Sequence, residues 1–406
     1  MKILIVEPGE QYCKERFLRE LTGGPYEFFL LVNSAQRVPA NHWYQKYVPG
    51  THIFSADFRN VRAAARSLEA QVKSRGIRLE GVTTYYEEAV LVTQAIAKEL
   101  SLTPITTGDP LVLRSKSLMR LRFSAIGLPQ PHSVLCRTVS EARKAVEEIG
   151  IPCVVKPNQM TASVGVRKVS SGKEKDVDDA VCVAFTEDIA EEDTRFAYNI
   201  SPEVVVEEYV PTYQEVSCEG LVQRGRLQLL SITKKSLGDE PHFEEMGHDT
   251  PYPVPNEIRA VLHDQLIRAS EALELYSTTF HAEFRLRQKA PPILIELGAR
   301  LPGGFIPQLV RLSQGVDMLQ ASLLLATGQE AKPFFRYAGA AAIRFLVSTD
   351  SVRKFQAAEH RIRSLSFVDE LLIYGSAGPG RLGHIIWTAQ EFDGLENGWS
   401  IISQAG

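Results

Sequence analysis

The segment HAEFRLRQKAPPILIELGARLPGG, from His281 to Gly304, holds two apolar strand candidates separated by the turn-rich connector RQKAPP. A short polar and proline-containing connector between apolar runs favours an antiparallel hairpin. Each strand carries one carboxylate, Glu283 and Glu296. A carboxylate on a buried strand is costly unless a cation neutralises it. Local pairs would meet that need, Glu283 with Arg285 or Arg287 and Glu296 with Arg300. The alternative sets both carboxylates on one side of the hairpin around a hard cation. Magnesium fits that alternative, because it favours oxygen ligands, keeps several waters and bridges to nucleotide phosphates.

The rest of the chain limits the setting. With 406 residues, two or three domains or lobes are expected around the hairpin. A net charge of −4 gives no general attraction to nucleic acid or to anionic membranes. No apolar run approaches a membrane span, and MKILIVEPGE is too short for a signal-peptide core. Cys13, Cys136, Cys153, Cys182 and Cys218 form no CxxC pair, which predicts reduced thiols and no zinc site. The expectation is a cytoplasmic protein with neither nucleic-acid nor membrane partners.

Periodicity orders the elements. KILIVE and YEFFLLVN read as strands around a helix at Gln11–Leu21. DFRNVRAAARSLEAQVKSRG reads as a helix stopped at Gly76, followed by a strand in LEGVTTYY and a helix in EEAVLVTQAIAKELSL. Alternating strands and helices predict a small parallel α/β domain, without the G-x-G-x-x-G of a dinucleotide site. Thr103–Pro110 is the expected boundary. Beyond it, SKSLMRLRFSAIG is a helix closed by Gly127, and SEARKAVEEIG a helix with Ser140 at its cap and Gly150 at its end. Strands follow in IPCVVKP, GVRKVSS, EVVVEEYV, EVSCEGLVQRG and RLQLLSITKK, with an acidic, helical Ser171–Pro202 region between. His242–Pro255 reads as a polar loop, and NEIRAVLHDQLIRASEALEL as a helix.

Two further stretches bear on chemistry. In VVKPNQMTASVGV, Lys156 ends an apolar strand before a small-residue loop with Ser163 and Gly165, which suits an anion met by a point charge and backbone N–H groups. A solvated hairpin loop has the same composition. In VVVEEYVPTYQEVSCEG, an apolar strand runs into Glu207, Glu208, Tyr209 and Val210, with Glu215 beyond a proline corner. Such a strand end suits adenine and ribose, or is simply solvated.

Taken in chain order, Lys116 in RSKSLMRLRFSAIGLPQPH, Lys156 with its loop, the Glu207–Glu215 stretch, Glu283 and IELGAR resemble the ATP-grasp superfamily from about Leu111 to Gly328. The Phe-x-Glu-x-Gly-His-x-x-Pro pattern within KKSLGDEPHFEEMGHDTPYPVP is similar to the L-amino-acid ligases among them. E-x-G-A-R-x-P-G-G and Glu87 in TTYYEEAVLVTQAIAKELSL fit the same subgroup. The implied fold combines α/β and α+β. A Rossmann-like parallel domain (1–107) precedes a two-lobed ATP-grasp fold, with a small lobe and phosphate loop (108–200), a large lobe with the metal hairpin (201–330) and a C-terminal lobe (331–406).

The resemblance implies an ADP-forming carboxylate–amine ligase that works through an acyl phosphate. Lys116, Lys156, Ser163 and Gly165 would meet the phosphates of ATP. Glu207 or Glu208, with the backbone at Tyr209 and Val210, would meet adenine, and Glu215 the ribose. Glu283 and Glu296 would bind two magnesium ions, Glu296 bridging, with manganese an acceptable substitute. Arg300 would face the acyl phosphate, and Gly303, His248 and Glu87 the amino-acid pocket. Gly298 departs from the pattern, because many members place Asn there. Partners would be small carboxylates and amines, and the resemblance is compatible with a homodimer. Acyl transfer to a carrier-protein thiol or specialised amine, or nucleotide binding without catalysis, are the competing readings.

Overall fold

In the computed structural model, which describes residues 1–9, 11–35, 43–185, 189–238, 243–378 and 381–405, three sheets organise the chain. The first is parallel, in the order Ile53–Ala56, Glu27–Asn33, Lys2–Val6 and Gly81–Thr83. Its central residues Ile3, Leu4, Ile5, Leu30 and Leu31 are fully buried, as the uninterrupted apolar runs require. The helices Val61–Ser74 and Val90–Glu99 pack against one another beside this sheet. Gly76, at φ +64°, lies just past the first of these helices, as its position implies.

The second sheet is antiparallel, in the order Ser133–Cys136, Val204–Glu208, Cys153–Pro157 and Arg167–Val169. Helices Val139–Ile149 and Glu174–Phe185 close one face through Ala142, Ala145, Val146, Val181 and Ala184. The cap of the Val139–Ile149 helix is Thr138, not Ser140. The Thr138 hydroxyl accepts from Glu141 N, while the Glu141 carboxylate accepts from Arg137 N at 2.7 Å. The helix therefore begins before the position expected from sequence, because Thr138 supplies the oxygen that its first turn needs.

The third sheet has eight antiparallel strands, in the order Ala290–Gly298, Ser277–Arg287, Gln214–Gln223, Arg226–Leu237, Glu245–Thr250, Ala340–Leu346, Arg381–Ala389 and Val368–Gly378. It runs across residue 330, so the expected large and C-terminal lobes share one sheet. Glu245–Thr250 lies inside it, where the sequence suggests a loop. His242 lies outside the described residues. The strand escapes detection because its buried side chains are polar, and Asp249 meets Arg344 at 2.5 Å across the sheet.

The helix Asn256–Ala272 covers the sheet at Leu262, Leu266 and Ala269, which join Phe280, Phe284, Leu294 and Leu297 in one core. Met318–Ala326 packs between this sheet and the N-terminal one. Residues 103–110 are a fastened connector. Gln94 Nε2 donates to Thr106 O at 2.7 Å, and Thr106 bridges to Leu275.

Candidate active site

The hairpin forms as the connector implies, and Glu283 stands directly opposite Glu296, with a bulge just beyond. Neither makes the local ion pair that the sequence allowed. Glu296 Oε1 lies 3.3 Å from Lys116 Nζ. Arg285 turns to Glu215, its Nε donating to Oε2 at 3.1 Å. Arg300 donates from Nε to Glu87 Oε2 and from Nη1 to Leu301 O.

Glu283 accepts from Lys235 Nζ at 2.6 Å and lies 3.3 Å from His281 Nε2. The same ammonium reaches Glu245 at 2.9 Å and Glu215 at 3.4 Å. Burial opposes the charge on Lys235, yet these three carboxylates outweigh it and raise its pKa well above the usual range. Burial likewise opposes ionisation of Glu283, but Lys235 and His281 hold its carboxyl well below the ordinary value. His281, whose Nδ1 is 3.1 Å from buried Glu219, is pushed up to about 9. Burial disfavours the imidazolium, while the bonds to Glu219 and Glu283 prevail.

Lys156, next to last in its strand, has Nζ 2.6 Å from Glu207 Oε2. Arg120 Nε donates to Glu207 Oε1 at 2.9 Å, and its Nη2 donates to Ile295 O at 2.6 Å. Arg120 thus ties the small sheet to the residue before Glu296. Burial opposes the Glu207 charge, but Arg120 and Lys156 bring its pKa down to about 2. Burial also lowers the Lys156 pKa. The Glu207 side chain therefore pairs with Lys156 and Arg120, and Glu208 is exposed. The Tyr209 ring lies between Lys168, 3.8 Å from its centroid, and Arg285 at 5.1 Å. Arg285 Nη1 donates to Val210 O at 2.9 Å.

The loop after Lys156 is a tight, strained turn. Ala162 and Ser163 have φ of 55° and 60°, and Gly165 has φ +68°. A Cβ at Gly165 would lie 2.8 Å from Pro157, so only glycine fits there. Left-handed backbone of this kind turns N–H groups into a concavity suited to anions. The loop is held at its base, because Lys116 Nζ donates to Met160 O and Arg114 Nη2 to Gln159 O, both at 2.6 Å. Thr161 Oγ1 donates to Glu88 at 2.8 Å, linking the loop to the N-terminal domain.

Glu87, in the short 3-10 turn Glu87–Ala89, is buried between Arg300 and Arg114, whose Nη1 is 3.3 Å away. Burial opposes its charge, yet these arginines keep its pKa low. Its carboxylate also crowds Gly298, since a Cβ there would stand 3.2 Å from Glu87 Oε2. An Asn side chain would compete for that space. His248 is 1 % exposed, with neither ring nitrogen hydrogen-bonded, and lies 3.8 Å from Glu245. Burial, with Lys235 and Arg381 adding to it and Glu245 opposing, brings its pKa down to about 3, so the ring is neutral. A Cβ at Gly304 would meet His248 Nε2 at 2.5 Å. Gly303 is exposed, with open space where a side chain would be.

The structure thus brings Lys116, Lys156, Glu207, Glu215, Glu283, Glu296, Arg300, Glu87 and His248 into one linked set of charges. Arg114, Arg120, Lys235, Glu219, Glu245 and His281 belong to it as well, without having been singled out from sequence. Glu245 had a signal, since it is the central acid of the Phe-x-Glu-x-Gly-His pattern. Among the described residues no group of three His, Cys, Asp or Glu side chains forms a metal cage. Two opposed carboxylates beside a phosphate-type loop instead fit magnesium, which takes one or two protein carboxylates and completes its shell with phosphates and water.

Residues 149–308 match the family of ATP-grasp domains. An ATP-grasp domain is matched over these residues, less than half of the chain. That region includes Lys156 and its loop, Glu207, Glu215, both hairpin carboxylates and Arg300. Over 228 residues the chain is 28 % identical to alanine–anticapsin ligase of Bacillus subtilis (strain 168), covering 54 % of this chain and 48 % of that protein. It is 24 % identical to carnosine synthase 1 of Homo sapiens over 287 residues, 68 % of this chain and 34 % of that protein. The chain thus spans about half the length of the first of these relatives and a third of the second. The L-amino acid ligase structure from Bacillus licheniformis has the same fold, with a TM-score of 0.75 at 21 % identity, covering 100 % of this chain and 97 % of that one. The ATP-complexed carboxyaminoimidazole ribonucleotide synthase of Aspergillus clavatus also shares it, at TM-score 0.75 and 14 % identity over 100 % and 97 % of the two chains. The ATP-grasp assignment and the mixed fold expected from sequence therefore both hold. No helix among the described residues is long and apolar enough to cross a membrane.

Proposed function

We propose that this protein is an ATP-dependent carboxylate–amine ligase that joins an amino acid or related carboxylate to an amine, releasing ADP and phosphate. The observation that carries this reading is the placement of Glu283 opposite Glu296, within the same charge network as Lys116, Lys156 and Arg300. Similarity to ligases that join amino acids supports it. The domain limits 1–107, 108–200, 201–330 and 331–406 are proposed with it, the last two sharing a sheet.

In this reading the donor carboxylate oxygen bonds to the γ-phosphorus as the bond to the β-phosphate oxygen breaks, and ADP leaves. The amine nitrogen then bonds to the acyl carbon, the carbon–oxygen bond to phosphate breaks, and phosphate departs with the electron pair. The amine proton is released to solvent or phosphate. Glu283 and Glu296 would hold magnesium, two ions with manganese as substitute, which would supply neutralising charge on the phosphates. Lys116 and Lys156 hold the phosphate end, and Ser163 and Gly165 close the loop over it. The backbone at Glu208–Val210 meets adenine, with Glu215 toward the ribose. Arg300, half-buried and oriented by Glu87, faces the developing charge on the acyl group. His248, neutral, and Gly303 line the amino-acid pocket.

The test is phosphate release from ATP and magnesium with the twenty amino acids, singly and in pairs, with mass spectrometry of products. Amino-acid-dependent phosphate release with a condensed product is expected. ATP binding with no phosphate release under any pair would overturn the reading.

A further inference from the structure

We infer that Arg381 holds the α-carboxylate of the amine substrate, so that the acceptor is an amino acid rather than a simple amine or a carrier-bound thiol. The inference rests on the ligase reading above. Arg381 opens the strand Arg381–Ala389, well beyond the matched ATP-grasp region, yet its side chain enters the charge network of the site. Its Nη2 donates to Glu245 Oε2 at 2.9 Å. The other oxygen of Glu245 is 2.9 Å from Lys235 Nζ, which is bonded to Glu283. Two side chains therefore separate Arg381 from the hairpin carboxylates.

Its environment differs from that of Lys235. The Arg381 side chain is 19 % exposed, against 4 % for Lys235. Its guanidinium carbon lies 3.8 Å from the centroid of the Phe345 ring, which fixes the plane of the group. A guanidinium has five N–H donors, and among the described residues Glu245 takes one. A guanidinium held by stacking, with donors beyond the one given to Glu245, is the arrangement that receives a carboxylate through two parallel bonds.

A second observation marks the same place. His248 packs edge-on against the same Phe345 ring, with both nitrogens lacking a partner and Gly304 pressed against Nε2. Buried ring nitrogens without partners are rare and point to a polar group that arrives with the ligand. Glu245 and Arg381 beside them offer one negative and one positive group, which suits a zwitterion. The carboxylate held by Arg381 takes no part in bond making. It orients the amine toward the acyl carbon, and Arg381 is a specificity and positioning residue.

The test compares acceptors that differ only in that carboxylate. Wild-type protein, Arg381→Lys and Arg381→Ala are assayed with ATP and magnesium, each amino acid in turn as donor. The acceptors are the twenty amino acids, their carboxamides and hydroxylamine. In the wild type, the acid is expected to exceed its carboxamide by about 10- to 100-fold in kcat/KM, the size of a charge-assisted contact. That preference should vanish in Arg381→Ala through a raised acceptor KM, and persist in part in Arg381→Lys. Equal use of acid and carboxamide by the wild type, or an unchanged preference in Arg381→Ala, would overturn the inference. Hydroxamate formation with no peptide from any amino acid would overturn it while leaving the ligase reading standing. Absence of both hydroxamate and phosphate release would remove the ligase reading, and this inference with it.

Discussion

Glu207 and Glu283 each lie 2.6 Å from a lysine ammonium, yet they stand in opposite circumstances. The Glu207 side chain is 3 % exposed and receives both Lys156 and an Arg120 that also spans to the strand of Glu296. Glu283 is 24 % exposed, shares its lysine with two other carboxylates, and stands opposite a second acid. The first is a sealed joint, since neither oxygen can leave its cations without burying bare charge. The second is a charge cluster open to exchange, in which an incoming cation or phosphate can replace an internal partner. Ion-pair distance alone does not separate architecture from chemistry. Exposure and the number of competing partners do.

The comparison can be broken most directly at the hairpin. Glu296→Ala removes the carboxylate opposite Glu283, and phosphate release should fall by at least about 10³-fold, in line with loss of charge neutralisation in a phosphoryl transfer. Steady-state phosphate assays check this, and near-normal turnover would exclude the hairpin as the metal position.

Stability should divide the two acids next. Glu207→Ala leaves Arg120 and Lys156 buried without their anion, and should cost about 3–5 kcal/mol in denaturant unfolding. Glu283→Gln leaves Lys235 with Glu245 and Glu215, and should cost about 1 kcal/mol or less while abolishing turnover. Equal losses would erase the distinction. Arg300→Ala belongs with the chemistry, with an expected fall in kcat of about 10²–10³-fold and little change in the ATP requirement.

The smallest effect concerns the two histidines. His248 has a folded pKa of about 3, below the ordinary value of 6.5, so unfolding takes up a proton between those limits. Stability should be lost as pH falls from 6.5 toward 3, by about 1.4 kcal/mol per pH unit from this group. His281 has the opposite sign. With its pKa raised to about 9, its stabilisation is complete below pH 6.5 and is lost as pH rises through 9. Melting curves of His248→Gln should be flatter on the acid side only, and a matching change on the alkaline side would contradict the assignment.

The hairpin, its facing carboxylates and the strand carrying Lys156 were legible because each depends on short-range pattern, namely apolar runs, a turn-rich connector and a small-residue loop. The partners of those charges were not. Lys235 meets Glu283 across 48 positions, and Arg120 meets Glu207 across 87. Nothing local in either helix or strand records which distant carboxylate it will face. Glu245–Thr250 was missed for a related reason, since its buried positions are polar and only the partner charges around it make burial affordable. Gly298 appeared as a departure from the family pattern. The side chain that crowds that position is Glu87, more than two hundred residues earlier.

The most direct test of the account follows one oxygen atom. With the donor amino acid labelled with oxygen-18 in its carboxylate, and ATP, magnesium and acceptor present, the released phosphate is analysed by mass spectrometry. The account predicts one labelled oxygen in inorganic phosphate for each bond formed, with ADP as the nucleotide product. Label in AMP, or phosphate free of label during product formation, would contradict it.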